Sequence, residues 1–256
     1  MMGVNLQERL KIVISYFVNK MAAAGFMLSI ISLYILIATS FDLYEFSEGL
    51  TMWFVVLFFY SIFCSILIDW VKRKFYQISQ TVEVFLYMIT GFIPFIAFRE
   101  LPFILFAGTI GAICAVIYFF AIHFVIRNNT IKVVLAIVIP ILLLISANID
   151  FTTKTNWQET RNTSSYEATF DYFNGSHEVP IQINAGETIT FTVDFEENNN
   201  GGYGFSFRND KREYLGMEEV GENKFKVTAS KDGLYYVEVR GENLAGQVMV
   251  NWGIEQ

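Results

Sequence analysis

The 256-residue sequence has few of the residues that build most enzyme reaction centres. It contains two cysteines and two histidines, and it lacks Gly-x-Ser-x-Gly, His-Glu-x-x-His, Cys-x-x-Cys and P-loop strings. Histidine-dependent nucleophilic catalysis and zinc catalysis need such residues in groups, so both are nearly excluded. We therefore expect no enzymatic activity, no catalytic residue and no cofactor.

Charge is scarce as well, and basic charge is the scarcest. Charged residues make up 17% of the chain, against about 25% in typical soluble domains, while apolar residues make up 54%. Residues 1–150 are nearly neutral, whereas residues 151–256 carry nine basic and seventeen acidic residues. Neither half offers a basic face to phosphates, which argues against nucleic-acid binding. A mean hydropathy of +0.41 indicates a membrane protein rather than an ordinary cytosolic enzyme.

The first half of the chain contains five long apolar runs. Each is about 17–24 residues long, close to the roughly 17–25 residues that cross a bilayer as a helix. The sequence thus predicts a five-helix transmembrane bundle over residues 21–149, with spans at about 21–40, 51–68, 82–98, 103–126 and 133–149.

Basic residues alternate between the connections of these runs and thereby predict the topology. One set of connections contains a single base, Arg99. The other set contains eight topology-setting bases, namely Arg9, Lys11, Lys20, Lys72, Arg73, Lys74, Arg127 and Lys132. We expect a cytoplasmic N-terminus and an extracytoplasmic C-terminal domain.

Two parts of this half leave alternatives open. Residues 82–126 could form two full spans or a re-entrant hairpin, because Gly91 and Pro94 interrupt the first run and the connection is short. Either arrangement keeps the C-terminal domain outside. Residues 1–20 form a cytoplasmic amphipathic segment, which could be an interfacial helix or a plain extension of the first span.

After residue 150 the hydrophobic period changes from that of a helix to that of a strand. Residues 150–165 are polar and predict a linker. Residues 166–256 predict seven or eight short strands separated by glycine-containing turns, one of them at Gly241–Gly246. Evenly spaced short strands with one apolar face are typical of an antiparallel β-sandwich. The expected fold class is therefore a transmembrane helical bundle followed by an extracytoplasmic sandwich.

Four short motifs in this domain resemble those of a GOLD-type β-sandwich. They are Gly186-Glu187, Gly201-Gly202-Tyr203, Asp232-Gly233-Leu234-Tyr235 and the strand from Gly246 to Trp252. The resemblance implies a binding or interaction module rather than a catalyst, and it transfers no ligand-binding residue. The sequence departs from the Golgi receptors of that family because its sandwich follows several spans and contains no cysteine.

A few other residues are candidates for binding a cation or for a role in the apolar runs. A hard cation such as calcium would accept oxygens from the run that holds the weak candidates Asp194, Glu196, Glu197 and Asn199. The run lacks the regular ligand spacing of an EF-hand, so a solvated hairpin loop is the simpler interpretation. Cys64 and Cys114 fall within apolar runs and are expected to be packing residues. His123 is expected near a span end, and His177 in a turn before the second strand.

The fourth apolar run contains a face of small residues that would allow another helix to approach closely. This face comprises Ala107, Gly108, Gly111, Ala112 and Ala115. Its partner could be a helix of the same bundle or another subunit.

This organisation predicts a non-catalytic cell-membrane protein that presents an extracytoplasmic recognition domain. It would be an accessory or sensory subunit of a membrane complex, with a protein partner or a second copy of itself. A component of a small transporter or channel is the main alternative, and a membrane-embedded enzyme is the third. The cysteine-free outer domain favours a bacterial cell membrane.

Overall fold

A computed structural model describes residues 6–75, 78–125, 129–221 and 223–255 of the chain. The chain divides into two compact units, residues Met1–Ile149 and Asp150–Gln256. The first is called the helical unit and the second the sheet domain. The division coincides with the change of hydrophobic period in the sequence.

The helical unit consists of helices joined by short connections. The helices are α1 (Leu6–Ala38), α2 (Leu43–Val55), α3 (Ser61–Lys74), α4 (Gln80–Ile96), α5 (Leu101–Val125), α6 (Asn129–Val133) and α7 (Ile139–Ser146). Two π-helical segments, Val56–Tyr60 and Val134–Val138, continue α2 into α3 and α6 into α7.

Three helical stretches of the described chain are long and apolar enough to cross a membrane. They are Leu6–Ala38, Leu101–Val125 and Asn129–Ser146. The helix Gln80–Ile96 is also apolar but is shorter than these three. The predicted span over 51–68 instead lies inside the longer helical path of α2 and α3, which a π-helical segment interrupts. A count of five spans therefore goes beyond what helix length and composition establish.

Helix α1 combines the predicted amphipathic segment and the first predicted span in one continuous helix. No proline interrupts residues 6–38, so the backbone hydrogen-bond ladder continues through both parts. Its 33 residues extend about 50 Å at 1.5 Å per residue, well beyond the hydrocarbon core of a bilayer. Residues 6–20 thus extend the first apolar helix and do not form a separate helix.

Helices α4 and α5 form a hairpin that packs closely because glycines face each other. A Cβ atom added at Gly91 would lie 2.5 Å from the backbone carbonyl carbon of Gly111, and one at Gly108 would lie 2.3 Å from the ring of Phe92. Gly108 and Gly111 of the small-residue face thus pack against α4 within the same unit. The other members of the face, Ala107, Ala112 and Ala115, are buried or half-buried. Arg99, with φ of 60°, lies in the tight turn between the helices.

The described part of the sheet domain contains eight antiparallel strands. They are β1 (Thr153–Thr155), β2 (Gln158–Arg161), β3 (Ser165–Ile183), β4 (Thr188–Glu197), β5 (Gly202–Arg208), β6 (Glu218–Gly221), β7 (Lys224–Thr228) and β8 (Gly233–Glu255). Strand order is β1-β3-β8-β4-β7-β6, with β2 also paired to β3 and β5 to β8.

Two long strands replace four of the predicted short ones. Strand β8 continues through Gly241–Gly246, where a turn was predicted, because both flanking halves pair with β3 and the irregularity is absorbed as a register shift. For the same reason His177 lies within β3 and not in a turn. The predicted linker also carries two strands, β1 and β2, which add to the edge of β3.

One apolar core holds the sheet domain together. β8 pairs with β3 along one edge, while along its other edge its first half pairs with β5 and its second half with β4. Alternate residues of these strands point inward, including Phe173, Phe191 and Phe207, which are almost fully buried. The alternate positions therefore point outward, and they form the surface on which a ligand could bind.

Candidate functional site

The sheet domain carries a row of polar side chains directly across four strands. Gln158 of β2 is paired with Thr169 of β3. Thr169 is paired in turn with Gln247 of β8, and Gln247 with Glu196 of β4. Directly paired residues of neighbouring strands project from the same face of a sheet, so these four side chains lie side by side.

This row forms the floor of an open groove of about 420 Å³. Its lining is mostly oxygen and amide groups, from Asn156, Gln158, Thr169, Phe170, Asp171, Glu196, Asn198, Gly246 and Gln247. At one wall the Asn156 side-chain amide donates a hydrogen bond to the Asp171 carboxylate. Next to the row, the Gln247 amide donates to Glu167 across 2.9 Å. These contacts orient the polar groups while leaving the groove open to solvent.

Gly246 lets the groove form because only glycine fits its backbone geometry. Its φ is +143°, and a Cβ atom there would lie 1.9 Å from the carbonyl oxygen of Glu196. The close approach of β8 to the end of β4 thus depends on the missing side chain. The sequence signal for this position is the glycine that opens the last strand motif, but a glycine there is equally typical of a turn.

The four weak cation candidates do not converge on one point. Glu196 lines the groove, whereas Asp194 Oδ1 accepts a hydrogen bond from Asn223 at 3.5 Å. The Asn199 side-chain oxygen accepts from the backbone N–H groups of Gly201 and Ala245, so it serves to fold the loop. Among the described residues, no three His, Cys, Asp or Glu side chains are arranged to hold a metal ion.

A partly buried cluster of ionisable groups lies where β1 and β2 meet β3. The Lys154 ammonium donates a hydrogen bond of 2.8 Å to His177 Nδ1 and lies 4.2 Å from the centroid of the Trp157 ring. Because Nδ1 accepts, the proton of the neutral imidazole is on Nε2, which lies 3.6 Å from a carboxylate oxygen of Glu159. Tyr166 donates to the same carboxylate at 2.8 Å.

The surroundings shift the titration of this cluster. Burial, with a further contribution from the Lys154 charge, lowers the pKa of His177 to about 4. Burial also lowers the pKa of Lys154, against the opposing effect of Glu159. Hydrogen bonds from Trp157 and Tyr166 lower the pKa of Glu159. The imidazole is therefore uncharged at neutral pH. Sequence reasoning missed this cluster because Lys154 and Glu159 fall in the predicted linker.

The helical unit has a buried ion pair that the sequence did not reveal. Lys20 is 5% exposed, and its ammonium lies 2.7 Å from the Asp69 carboxylate and 2.6 Å from Ser65 Oγ. Tyr16 donates to the same Asp69 oxygen, and Ser65 shares a hydrogen bond with Tyr87. Lys20 was expected to be a topology-setting base in a flanking segment, but its charge is balanced inside the unit.

The remaining topology-setting bases lie in different surroundings. Lys72 is paired with Glu83 at 2.7 Å. Arg9, Lys11, Arg73 and Lys74 are exposed and Lys132 is half-buried, while Arg127 lies outside the described residues. The exposed bases remain compatible with the predicted topology.

Both cysteines line one small apolar cavity in the helical unit. The cavity is about 60 Å³ and includes Cys64 of α3 and Cys114 of α5, with Tyr87 and Tyr118 at its wall. Both thiols are free. His123 does not line this cavity. Its Nδ1 atom lies 3.0 Å from the carbonyl oxygen of Phe119, one helical turn earlier.

Comparison with models of known protein families and with curated proteins finds no match for the chain. What the protein does must therefore be inferred from the groove of the sheet domain and the polar cluster of the helical unit.

Proposed function

We propose that this chain is a non-catalytic integral membrane protein whose sheet domain recognises a ligand outside the cytoplasm. It would act as an accessory or sensory subunit of a membrane complex. The observation that carries the proposal is the row from Gln158 to Glu196, where four polar side chains line up at the floor of an open groove. The resemblance to GOLD-type sandwiches supports a binding role for this domain.

The groove chemistry favours a ligand that donates hydrogen bonds. Carboxylates such as Asp171 and Glu196 only accept hydrogen bonds when ionised, and the amides of Gln158 and Gln247 both donate and accept. Residues 151–256 have nearly twice as many acidic as basic residues. Repulsion therefore disfavours anionic ligands. A polymer or protein segment that presents hydroxyl or ammonium groups suits this surface.

The placement of the groove outside the cytoplasm follows from the proposed topology. The exposed bases of the helical unit, including Lys11 and Lys74, would face the cytoplasm with the N-terminus, and five crossings would place the sheet domain on the opposite side. A bacterial cell membrane suits a domain without cysteine. The apolar outer faces of the helices, for example Phe106 at 71% exposure, would contact lipid.

Crosslinked capture from native membranes tests the recognition role. The full chain is compared with Glu196→Arg, which reverses charge in the groove, and with Glu218→Arg, which makes the same change at an exposed position on strand β6. We expect the specific partners of the wild-type chain to be lost with the first variant and retained with the second. Retention of the same partners by a chain truncated after Asp150 would instead assign assembly to the helical unit.

A transporter or channel component is the second candidate, favoured by one observation. The Lys20–Asp69 pair is an ion pair whose ammonium is buried inside a mainly apolar unit, and such groups often mark substrate or ion sites. Ion-flux measurements on reconstituted protein would distinguish this role, since a recognition protein produces no flux. A membrane-embedded enzyme ranks third, because the two histidines belong to different units.

A further inference from the structure

A second cavity, of about 210 Å³, lies at the end of the helical unit where α3 ends in Lys72, Arg73 and Lys74, and its lining is mainly apolar with several charged groups. Helices α1, α3 and α4 contribute its charged wall, and α5 contributes a mostly apolar wall of Phe119 and Ile122 that ends at His123. The volume is enough for several water molecules or for a small headgroup. A cavity with one charged and one apolar wall suits an amphiphilic molecule.

The charged wall presents both signs of charge. Lys20 is paired with Asp69, and Lys72 is paired with Glu83, each at 2.7 Å. The two ammonium groups differ in access, since the Lys72 side chain is 37% exposed and the Lys20 side chain only 6%. A ligand phosphate could therefore reach Lys72, whereas Lys20 remains engaged inside the unit.

One acceptor at this cavity lacks a donor. The side-chain oxygen of Asn19 is fully buried and finds no hydrogen-bond partner among the described residues. A buried amide oxygen without a partner costs free energy, so such an atom indicates a missing donor. An ammonium or hydroxyl group in the cavity would supply that donor and would be attracted by the neighbouring carboxylates.

We infer that this cavity binds the headgroup of a phospholipid with a primary ammonium group, such as phosphatidylethanolamine. The phosphate would contact Lys72, and the ammonium would donate hydrogen bonds to the Asn19 oxygen and to the carboxylate of Glu83. The acyl chains would follow the apolar outer surface of the bundle. Lys72, Arg73 and Lys74 end α3 at this level, where bases commonly meet lipid headgroups.

Phosphatidylethanolamine and phosphatidylcholine differ at the group that this cavity would recognise. Phosphatidylcholine has the same charges and size class, but its quaternary ammonium has no N–H to donate. The binding difference between these lipids therefore reports the hydrogen bonds to the cavity rather than general attraction to a membrane. Phosphatidylglycerol, which is anionic, reports attraction to the basic residues alone.

Lipid titration of the full detergent-purified chain, followed by native mass spectrometry, measures these affinities with matched acyl chains. We expect phosphatidylethanolamine to bind about tenfold more tightly than phosphatidylcholine, the effect of one hydrogen bond to a charged donor. Equal affinity for the two lipids, or tightest binding of phosphatidylglycerol, would overturn the inference. Soluble phosphoethanolamine distinguishes a lipid headgroup from a free small molecule of the same chemistry. If it binds as tightly as the lipid, the ligand is the free zwitterion and the inference is wrong.

Variants of Asn19 test whether a preference for phosphatidylethanolamine over phosphatidylcholine arises at this cavity. Asn19→Leu removes the acceptor at similar size and should abolish the preference, while the exposed Asn148→Leu at the end of α7 should leave it unchanged. Asn19→Asp retains an acceptor, adds charge and should preserve or increase the preference, which keeps the test informative if the leucine variant does not fold. A preference that survives Asn19→Leu, or is lost in Asn19→Asp, would place the lipid elsewhere.

Discussion

His177 lies between an ammonium and a carboxylate, with Lys154 Nζ 2.8 Å from its Nδ1 atom and Glu159 3.6 Å from its Nε2 atom. Aromatic rings of Trp157 and Tyr166 cover it on two sides. A single residue in such surroundings affects stability, because protonating the partly buried imidazole would place a second positive charge next to Lys154.

The lowered pKa of His177 predicts that acid destabilises the sheet domain. Between about pH 6.5 and about pH 4 the unfolded chain binds a proton that the folded domain does not, so stability is full above this window and falls as the pH falls through it. The slope is at most about 1.4 kcal/mol per pH unit. NMR titration of the full chain in a His123→Gln background observes His177 alone, and a midpoint near 6.5 would contradict the prediction.

The Lys20–Asp69 pair predicts a large penalty for removing one partner. Asp69→Asn leaves the Lys20 ammonium buried without its counter-ion and should cost about 3–5 kcal/mol. The double variant Lys20→Met, Asp69→Asn should recover part of that loss because no uncompensated charge remains. Arg73→Gln, at an exposed base of the same helix as Asp69, serves as the control and should cost less than about 1 kcal/mol. Thermal unfolding in detergent measures all three, and a similar loss for Asp69→Asn and Arg73→Gln would be inconsistent with a buried pair.

At the scale of elements, glycines decide how closely helices and strands approach. Gly91 and Gly111 bring α4 against α5, and Gly246 brings β8 against the end of β4. Both contacts involve backbone atoms, which cannot move aside as a flexible side chain would.

The helix contact predicts that Gly111→Leu destabilises the helical unit. A larger side chain would collide with the Gly91 carbonyl oxygen, which lies 2.2 Å from the position of an added Cβ atom. Overpacking of this kind costs about 1–3 kcal/mol or more. Thr109→Leu, at an exposed position of the same helix, is the control. If the main effect of Gly111→Leu were loss of an oligomer with unchanged monomer stability, the small-residue face would serve a second subunit.

The strand contact predicts that Gly246→Ala disrupts the groove. The substitution places a Cβ atom 1.9 Å from the Glu196 carbonyl oxygen and forces an L-residue to φ of +143°. Strain of this kind costs on the order of 1–3 kcal/mol. Gly253→Ala is a matched control in the same strand, since nothing lies within 4 Å of its added Cβ atom. Hydrogen exchange should show faster exchange at the β4–β8 pairing in the first variant only.

For the whole molecule, the central question is how many times the chain crosses the membrane. Three helical stretches are long and apolar enough to do so, and α4 and the combined path of α2 and α3 could add one or two further crossings. An odd total would place the two ends of the chain on opposite sides, as the proposed topology requires, whereas a total of four would place them on the same side.

Cysteine labelling tests the proposed topology directly. In a Cys64→Ala, Cys114→Ala background, a cysteine at Glu218 should react with an impermeant maleimide on intact cells, and a cysteine at Lys74 only after permeabilisation. Arg99→Cys should react from outside if α4 and α5 are two full spans. Protection of position 99 on both sides would indicate the re-entrant hairpin, and labelling of position 74 from outside would contradict the positive-inside assignment.

The sequence by itself determined the division into an apolar helical unit and an antiparallel sheet domain, with the change near residue 150. Hydropathy and side-chain period are local properties, so they can be read without knowing what packs against what. The same local patterns split β3 and β8 into shorter strands, because a bulge and a turn both use glycine.

Only the tertiary structure decided which polar residues meet. Lys20 joins Asp69 from another helix, Lys154 joins His177 from another strand, and the groove row depends on the register of four strands. Strand register is a long-range property, and a shift of one residue moves every side chain to the opposite face. The elements therefore follow from local sequence, whereas both candidate sites arise from contacts between residues far apart in the chain.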